Sequence, residues 1–513
     1  MSATEGSGAP PRKMPVAQKA TLGVVTLAAM NVTAVVSLRG LPAEATYGLT
    51  SVFYYIFAAV FFLIPVAIVA AELATGWPQK GGVFRWVGEA FGPRWGFLAI
   101  FLVWVQTTIW FPTVLTFAAV ALAFMGPNDT WDSALAANKI YTVAIVLAVY
   151  WGATVVALRG LKSASTIAKW GGIIGTIIPA GILIVLGFLY LFSGKPIDLK
   201  LGWGELIPDF SNFSNLVLAA GIFLFYAGME MNAIHVKEID NPSRNYPLAI
   251  LLSSIVTVVI FVLGTLAIAL IIPSSQINLV QSLLITYDDF FKAFGISWLA
   301  PVMALALAFG VLGGVTVWVA GPSSALVVVG RAGYLPPFFQ KLNQRGAPSH
   351  ILIVQGLIVT FLSVMFVVLP SVQAAYQILS QLTVTLYLIM YLMMFAAAIY
   401  LRYSEPDTPR PYRVPLGLFG IWLFAGVGFV GSLIAFILSF VPPSQIKVGS
   451  PTTYIAILIA GNVLIVAIPL ITYALRRPQW KSPEGSADFA PFNWEKEGRK
   501  PGIRPAPGAP AGR

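Results

Sequence analysis

The 513-residue chain contains no cysteine and only two histidines. Without cysteine there is no disulfide framework, no thiolate metal site and no cysteine nucleophile. Neither His235 nor His350 belongs to a cluster with metal-ligand spacing, and we interpret both as ordinary residues near span ends rather than as pH sensors. Paired carboxylates and a nucleophile with its base are not visible either. The sequence therefore predicts no metal, no cofactor and no enzymatic activity.

Charge is also scarce. Asp, Glu, Lys and Arg make up 10% of the chain, hydrophobic residues make up 58%, and the mean hydropathy is +0.83. This composition is far too apolar for a soluble domain of this length and predicts a membrane protein with many spans. Residues 1–15 lack the apolar core of a signal peptide and are expected to form a cytoplasmic N-terminal tail. The net charge of +11 fits contact with anionic lipid, so no nucleic-acid partner is needed.

A helix of about 20 apolar residues can cross the bilayer, and the chain contains twelve such runs. They lie near residues 18–40, 46–73, 95–124, 138–160, 166–194, 213–236, 247–272, 297–328, 349–369, 373–402, 416–441 and 452–475. The fold class expected is thus an all-α membrane protein with twelve transmembrane helices. An even number leaves both termini on one side, and the segments on that side hold 25 of the 31 Lys and Arg residues. Both termini are therefore predicted to be cytoplasmic.

The spacing of the spans predicts an internal repeat. Spans six to ten each begin about 200 residues after spans one to five. Because five is odd, the second unit would enter the membrane inverted, an arrangement that many transporters share. Similar loop lengths could also arise by chance. The predicted units are the first repeat at 16–194, the second at 213–402, two peripheral spans at 416–475 and a C-terminal tail at 478–513.

Span six is interrupted by polar residues at 226–233, where Gly228 and Glu230 replace apolar side chains. An ionisable group at bilayer depth is costly unless it faces protein or a watery cavity, so Glu230 is predicted to act in proton coupling or gating. A broken helix at Gly228 would free backbone groups for a ligand. The alternative role of Glu230 is structural, with its carboxylate holding helices together.

Other polar and aromatic residues are candidates for lining a cavity. They are Gln106 in span three, Trp318 in span eight, and Gln377 and Gln381, which lie four apart on one face of span ten. Hydrogen bonds between helices explain such polar residues about as often as substrate contact does. Tryptophans are also typical of the membrane interface.

Five segments resemble the amino acid–polyamine–organocation (APC) superfamily, and most closely its bacterial glutamate/γ-aminobutyrate antiporter branch. They are AELAT at 71–75, GGVFRWV at 81–87, FGPRWGF at 91–97, EIDNPSRNYP at 238–247 and GPSS at 321–324. The resemblance covers about residues 16–475. It implies two inverted five-helix units with two peripheral helices, and transport by alternating access.

The resemblance also implies substrate-binding positions in the two broken spans. Where relatives carry a glycine-serine-glycine trio in span one, this chain has Val35, Val36 and Ser37. Two β-branched residues cannot adopt the loose backbone of glycine, so either the break is shallower or the substrate amino group is held differently. The implied positions in span six are Leu224, Tyr226 and Gly228.

The function expected is exchange of an amino acid for an amine, as in a glutamate/γ-aminobutyrate antiporter of the bacterial cytoplasmic membrane. The alternative is proton-coupled amino acid symport, and a channel or a membrane enzyme fits less well. The expected partners are a small amino acid or amine, protons and the lipid bilayer, and the protein is expected to be a monomer or a weak homo-oligomer. The polar C-terminal tail is expected to be disordered. Some relatives use this segment as a pH-responsive plug, but this tail has no histidine.

Overall fold

The computed structural model describes residues 23–79, 81–126, 128–159, 167, 169–210, 217–231, 239, 241–444, 447–483, 489–501 and 503. Regular secondary structure in these ranges is helical. The predicted N-terminal tail, His235 and residues 504–513 lie outside them.

The helices form a long series joined by short connections. In chain order they are α1 (Val24–Val35), α2 (Leu41–Ala45), α3 (Ser51–Ala58), α4 (Ile64–Gly76), α5 (Val83–Phe91), α6 (Pro93–Ala123), α7 (Asp129–Ala136), α8 (Lys139–Leu158), α9 (Ile178–Phe192), α10 (Gly221–Tyr226), α11 (Pro242–Ile271), α12 (Ser282–Ala293), α13 (Leu299–Val329), α14 (Ser349–Ser363), α15 (Met365–Val368), α16 (Val372–Ser404), α17 (Gly417–Leu438), α18 (Pro451–Ala474) and α19 (Asn493–Lys496). Single π-helical turns at Ala59–Leu63 and Ile173–Ile177 continue into α4 and α9.

Within the described ranges, ten helices are long and apolar enough to cross a membrane. An eleventh span is formed if the helical segments Val24–Thr33 and Leu38–Ala45, which are bent by 43°, count as one. The predicted sixth span is not among them because its helix α10 ends after six residues. The all-helical membrane fold is therefore confirmed, whereas the number of twelve spans stays a prediction.

Burial separates the central helices from the peripheral ones. The most apolar 18-residue window of α6 is 94% buried within the protein, and the corresponding window of α18 is only 17% buried. A helix that is apolar all round and enclosed by protein belongs to the centre of a bundle, while an equally apolar exposed helix faces lipid. Helix α6 packs against α13 and α16. The third span is thus the central helix around which the site is arranged.

Helix contacts follow the predicted repeat. Span one packs against span seven through α1 and α11, and span six packs against span two through α10 and α3. Likewise, α6 of span three packs on α16 of span ten, and the π turn of span five packs on α13 of span eight. If each of spans one to five is exchanged for its counterpart among spans six to ten, the contact between spans one and seven becomes that between spans six and two. In the same way, the contact between spans three and ten becomes that between spans eight and five. This correspondence is the one that two inverted units would produce.

The AELAT segment anchors one end of the bundle. The Glu72 carboxylate accepts bonds of 2.6 Å from Nε and Nη2 of Arg402 and one of 2.7 Å from the Val414 N–H. Arg410 lies 3.3 Å away. A buried carboxylate is stable only when paired and hydrogen-bonded, which these groups achieve together. Glu72 therefore joins the end of α4 to α16 and the loop after it.

Candidate functional site

The sixth span is broken at the predicted position. Helix α10 ends at Tyr226, Ala227 is extended, and Gly228 has a φ of +108° that L side chains rarely adopt. The Gly228 N–H, freed from helical bonding, donates to the hydroxyl of Tyr391 at 2.9 Å. A Cβ at Gly228 would lie 3.5 Å from the Trp318 ring and 3.7 Å from a Val35 methyl group. The helix of span six is therefore interrupted in its middle, at a point that lies between spans one, eight and ten.

Glu230 lies just beyond this break and is hydrogen-bonded to α16, the helix that carries Tyr391. Its Oε1 accepts from the Tyr387 hydroxyl at 2.5 Å and its Oε2 from the Tyr391 hydroxyl at 2.6 Å. The side chain is buried. Tyr391 thus bridges the free N–H of Gly228 and the carboxylate of Glu230. These bonds are what a structural role of Glu230 in holding helices together would require. They also place an ionisable group beside the break.

Span one is interrupted beside Gly228. Helix α1 ends at Val35, Val36 has an extended ψ of 120°, and Ser37 is extended at φ −135° and ψ 116° before helical structure resumes at Leu38. β-Branched residues fit extended backbone well, so the chain leaves the helix here without glycine. Val35 and Val36 are buried and Ser37 is half-buried. The two interruptions face one another across the Val35–Gly228 contact.

Arg39 closes one end of this region, a role that hydropathy did not predict. The side chain is buried and donates to the Tyr376 hydroxyl at 3.0 Å and to Thr113 Oγ1 at 3.5 Å. Its guanidinium lies 5.4 Å from the centre of the Trp110 ring and 5.9 Å from that of Phe225. Aromatic faces stabilise a guanidinium that has left water. Arg39 therefore links spans one, three, six and ten, and we call this set the Arg39 cluster (Arg39, Trp110, Thr113, Phe225 and Tyr376).

A small cavity lies next to the Arg39 cluster. Its volume is about 20 Å³, and it brings Leu224 together with the predicted pair Gln377 and Gln381. Glu44, which sequence reasoning missed, also lines it and is fully buried. Among the described residues, neither carboxylate oxygen of Glu44 has a hydrogen-bond partner. The full lining is Ala43, Glu44, Gly221, Leu224, Phe225, Tyr376, Gln377, Ser380, Gln381 and Val384.

Two predicted site residues are placed elsewhere. The Tyr226 ring stacks on Phe261, and its hydroxyl donates to the backbone carbonyl of Tyr55 at 3.2 Å, so it packs between helices. Gln106 donates to groups of its own helix, the Val103 carbonyl at 3.1 Å and Thr107 Oγ1 at 2.8 Å. Their contact with substrate stays a prediction. Of the predicted residues, Val35, Gly228 and Trp318 meet at the break, and Leu224, Gln377 and Gln381 meet at the cavity.

The C-terminal tail, expected to be disordered, is ordered over residues 489–501 and packs on α5. Arg85 donates to the backbone carbonyls of Ala490 and Pro491 at 2.6 and 2.8 Å. The guanidinium also lies 4.8 Å from the centre of the Phe492 ring, which is buried. Aromatic residues in a polar tail provide the apolar area that this packing needs. The tail thus covers α5 on the face of the bundle where Glu72 lies.

Glu89 is the ionisable group beneath the tail. Its carboxylate oxygens accept from the Asn493 N–H at 3.1 and 3.0 Å, and Arg85 forms an ion pair with it at 2.7 Å. Burial raises the pKa of Glu89 to about 7, although Arg85 acts in the opposite direction. Helix α5 lies between two spans rather than within one, so this group is outside the membrane-spanning segments. The tail therefore rests on a carboxyl group that titrates near neutral pH.

Comparisons with known proteins agree with this architecture. Residues 22–462 match the family model described as amino acid permease. An uncharacterized transporter of Legionella pneumophila is 41% identical over 452 residues, covering 88% of this chain and 96% of that protein. A glutamate/gamma-aminobutyrate antiporter of Lactococcus lactis is 34% identical, covering 87% and 89%. A probable agmatine/putrescine antiporter of the same species is 25% identical, covering 86% and 92%.

Proposed function

This chain belongs to the amino acid permease family, and from that membership we propose that it is a secondary active transporter that exchanges an amino acid for an amine by alternating access. The names of relatives from Lactococcus lactis, a glutamate/gamma-aminobutyrate antiporter and a probable agmatine/putrescine antiporter, support this substrate class. It is an integral membrane protein. We place it in a bacterial cytoplasmic membrane, with both termini cytoplasmic and the Arg39 cluster toward the outer side, as a monomer or weak homo-oligomer.

The observation that carries the proposal is the meeting of two broken spans at Val35 and Gly228. Backbone N–H and C=O groups without helical partners are costly in a membrane unless protein, water or ligand satisfies them. Tyr391 satisfies one of them, the Gly228 N–H. A zwitterion offers a carboxylate to free N–H groups and an ammonium to free carbonyls. In this proposal the substrate binds between Val35, Val36, Ser37 and Gly228, and Trp318 covers it.

Counterflow in proteoliposomes tests the exchange. Purified protein is reconstituted in vesicles loaded with L-glutamate, γ-aminobutyrate, agmatine or putrescine, and uptake of labelled L-glutamate or γ-aminobutyrate is measured. We expect uptake that requires a loaded substrate. Equal uptake into empty vesicles under an imposed proton gradient would replace exchange with proton-coupled symport. Absence of uptake from every loaded vesicle would remove the proposed substrate class.

Symport is kept as the second candidate because of one observation, the buried Glu230 carboxylate beside the break. A carboxylate in a low-dielectric site can gain and lose a proton as its surroundings change between access states. Glu230→Gln keeps the shape of the side chain and removes the titration. If protons are coupled to transport through Glu230, the variant loses the dependence of uptake on pH while its thermal unfolding midpoint stays near that of the wild type. Wild-type uptake at every pH would leave Glu230 with its structural role only.

A further inference from the structure

Glu44 is a buried carboxyl group that the proposed substrate site does not use. It belongs to α2, the second half of span one, and its side chain is fully buried. In the part of the chain that the structure describes, both carboxylate oxygens lack a hydrogen-bond partner. A buried carboxyl group without a hydrogen-bond partner is stable only if it is protonated or paired with a cation. The cavity that Glu44 lines is where that cation would fit.

The chemistry of the cavity wall matches one kind of cation. Besides the two oxygens of Glu44, the lining residues Ser380 and Gln381 each carry a buried oxygen, Oγ and Oε1, that has no partner among the residues described by the structure. An ammonium group has three N–H donors and no acceptor, so it can satisfy three of these four oxygens at once. Gln377 Nε2 lines the same cavity and, within the described ranges, has no hydrogen-bond partner within bonding distance. A guanidinium or a carboxylate would not match this set in so small a space.

The size of the cavity supports the same occupant. Its volume of about 20 Å³ is room for one group the size of a water molecule. A whole amino acid does not fit, but an ammonium head on an alkyl chain does. Along α16, Gln381 and Tyr387 are six residues apart, so the cavity lies about 9 Å from the Glu230 bonds toward the Arg39 cluster. A molecule that occupies both the cavity and the broken spans would therefore have to span that distance.

From these observations we propose that Glu44, Ser380 and Gln381 form a subsite for the ammonium group of the transported molecule. This subsite deepens the proposed function, on which its role in transport rests. The ammonium can be the α-ammonium of an amino acid or the terminal ammonium of an amine. Both share the chemistry that the subsite recognises, and transport by the Glu44→Gln variant separates them.

Binding of a minimal probe tests the subsite without transport. The thermal unfolding midpoint of purified full-length protein is measured against methylammonium chloride, with NaCl and KCl at the same ionic strength. We expect methylammonium alone to raise the midpoint of the wild type. Glu44→Gln should weaken that binding by about tenfold or more, because hydrogen bonds to a charged partner are lost. An equal response of the variant, or an equal response to NaCl or KCl, would overturn the proposal.

Matched variants keep the test interpretable. Glu205→Gln changes an exposed carboxyl group and should respond to methylammonium as the wild type does. Glu44→Asp retains the charge and should bind more tightly than Glu44→Gln. If Glu44→Gln does not fold, Gln381→Leu removes one acceptor from the same wall and should also weaken methylammonium binding. A wild-type response from Gln381→Leu would then overturn the subsite.

Counterflow identifies the source of the ammonium. If the terminal ammonium of an amine occupies the subsite, Glu44→Gln loses exchange of putrescine and γ-aminobutyrate but retains that of L-glutamate. If the α-ammonium occupies it, exchange of L-glutamate falls too. Wild-type exchange of all three by Glu44→Gln overturns the subsite while leaving the transporter function intact. Conversely, a wild type that transports none of them but binds methylammonium through Glu44 overturns the transport proposal and retains the subsite.

Discussion

The backbone N–H of Gly228 donates to the hydroxyl of Tyr391 at 2.9 Å, which bonds the break in span six directly to span ten. The same hydroxyl donates to Glu230, so one side chain satisfies both the free backbone group and the buried carboxylate. Tyr387 lies four residues earlier on α16. Its hydroxyl donates to the Glu230 carboxylate, whereas the Gly228 N–H donates to Tyr391. The two tyrosines therefore offer a matched comparison.

Tyr391→Phe should destabilise the protein more than Tyr387→Phe does. Loss of the Tyr391 hydroxyl leaves the Gly228 N–H unpaired and removes one bond from Glu230, whereas loss of the Tyr387 hydroxyl removes one bond from Glu230 and leaves the Gly228 N–H paired. A buried polar group left without its partner costs about 1–3 kcal/mol. Thermal unfolding midpoints of the two variants in detergent give the comparison. Equal midpoints, or a lower one for Tyr387→Phe, would contradict the bridging role of Tyr391.

Gly228→Val should abolish substrate binding, measured as the dissociation constant for the substrate found by counterflow. At a φ of +108° any L side chain is strained, and a β-branched one more so. The added methyl groups would also enter the space beside Trp318 and Val35. Gly181→Val is the control, because nothing lies within 4 Å of the Cβ that it adds to α9. An unchanged dissociation constant for Gly228→Val would count against a binding site at the broken spans.

The break in span six could be predicted because glycine and a carboxylate interrupt an apolar run, which is a local signal. The partners of Glu230 could not, since Tyr387 and Tyr391 are aromatic residues in an apolar span, about 160 positions away, and look like core residues there. Only the tertiary fold turns their hydroxyls toward the carboxylate.

Arg39 and Glu44 were missed for a different reason. Arg39 lies at the very end of the first apolar run and Glu44 lies just after it, beyond Pro42, where hydropathy ends the span and assigns charges to solvent. The structure continues the span as a second half-helix and buries both residues. The second half of a broken span can therefore hide its charges from a hydropathy reading, because it is too short to be counted as part of a span.

Arg39→Lys should loosen the closed end of the site. Lysine keeps the charge but lacks the planar group that contacts Tyr376, Trp110 and Phe225 together. Because the chain has no cysteine, a single Gln377→Cys reports access to the cavity behind the cluster. Labelling of this cysteine by a membrane-impermeant maleimide should become several times faster in the Arg39→Lys background.

The matched control for that labelling is Ser297→Cys, at an exposed position outside the cluster. Its labelling rate should not depend on residue 39. If Gln377→Cys reacts equally fast with Arg39 and with Lys at that position, the cluster does not limit access to the cavity.

Acidification should tighten the packing of the C-terminal tail on α5. The pKa of Glu89 rises from 4.5 to about 7 in the packed state, so this state binds the proton more tightly than one in which Glu89 is solvated. The packed state consequently gains stability as the pH falls from about 7 toward 4.5 and loses it as the pH rises through that range. The shift corresponds to at most about 3–4 kcal/mol, since one pKa unit equals about 1.4 kcal/mol.

Electron paramagnetic resonance of a spin label at Lys500→Cys can measure this effect. The spectrum reports the mobility of the label directly, so no reagent whose reaction rate depends on pH is needed during the measurement. Lys500 is exposed and lies near the end of the packed segment. We expect a less mobile label at pH 5.5 than at pH 8 in the wild type. Glu89→Gln removes the titrating group and should give the same mobility at both values. A label that becomes more mobile on acidification would show that the coupling has the opposite sign. The ion pair between Arg85 and Glu89 would then control the packing of the tail, rather than the burial of the carboxyl group.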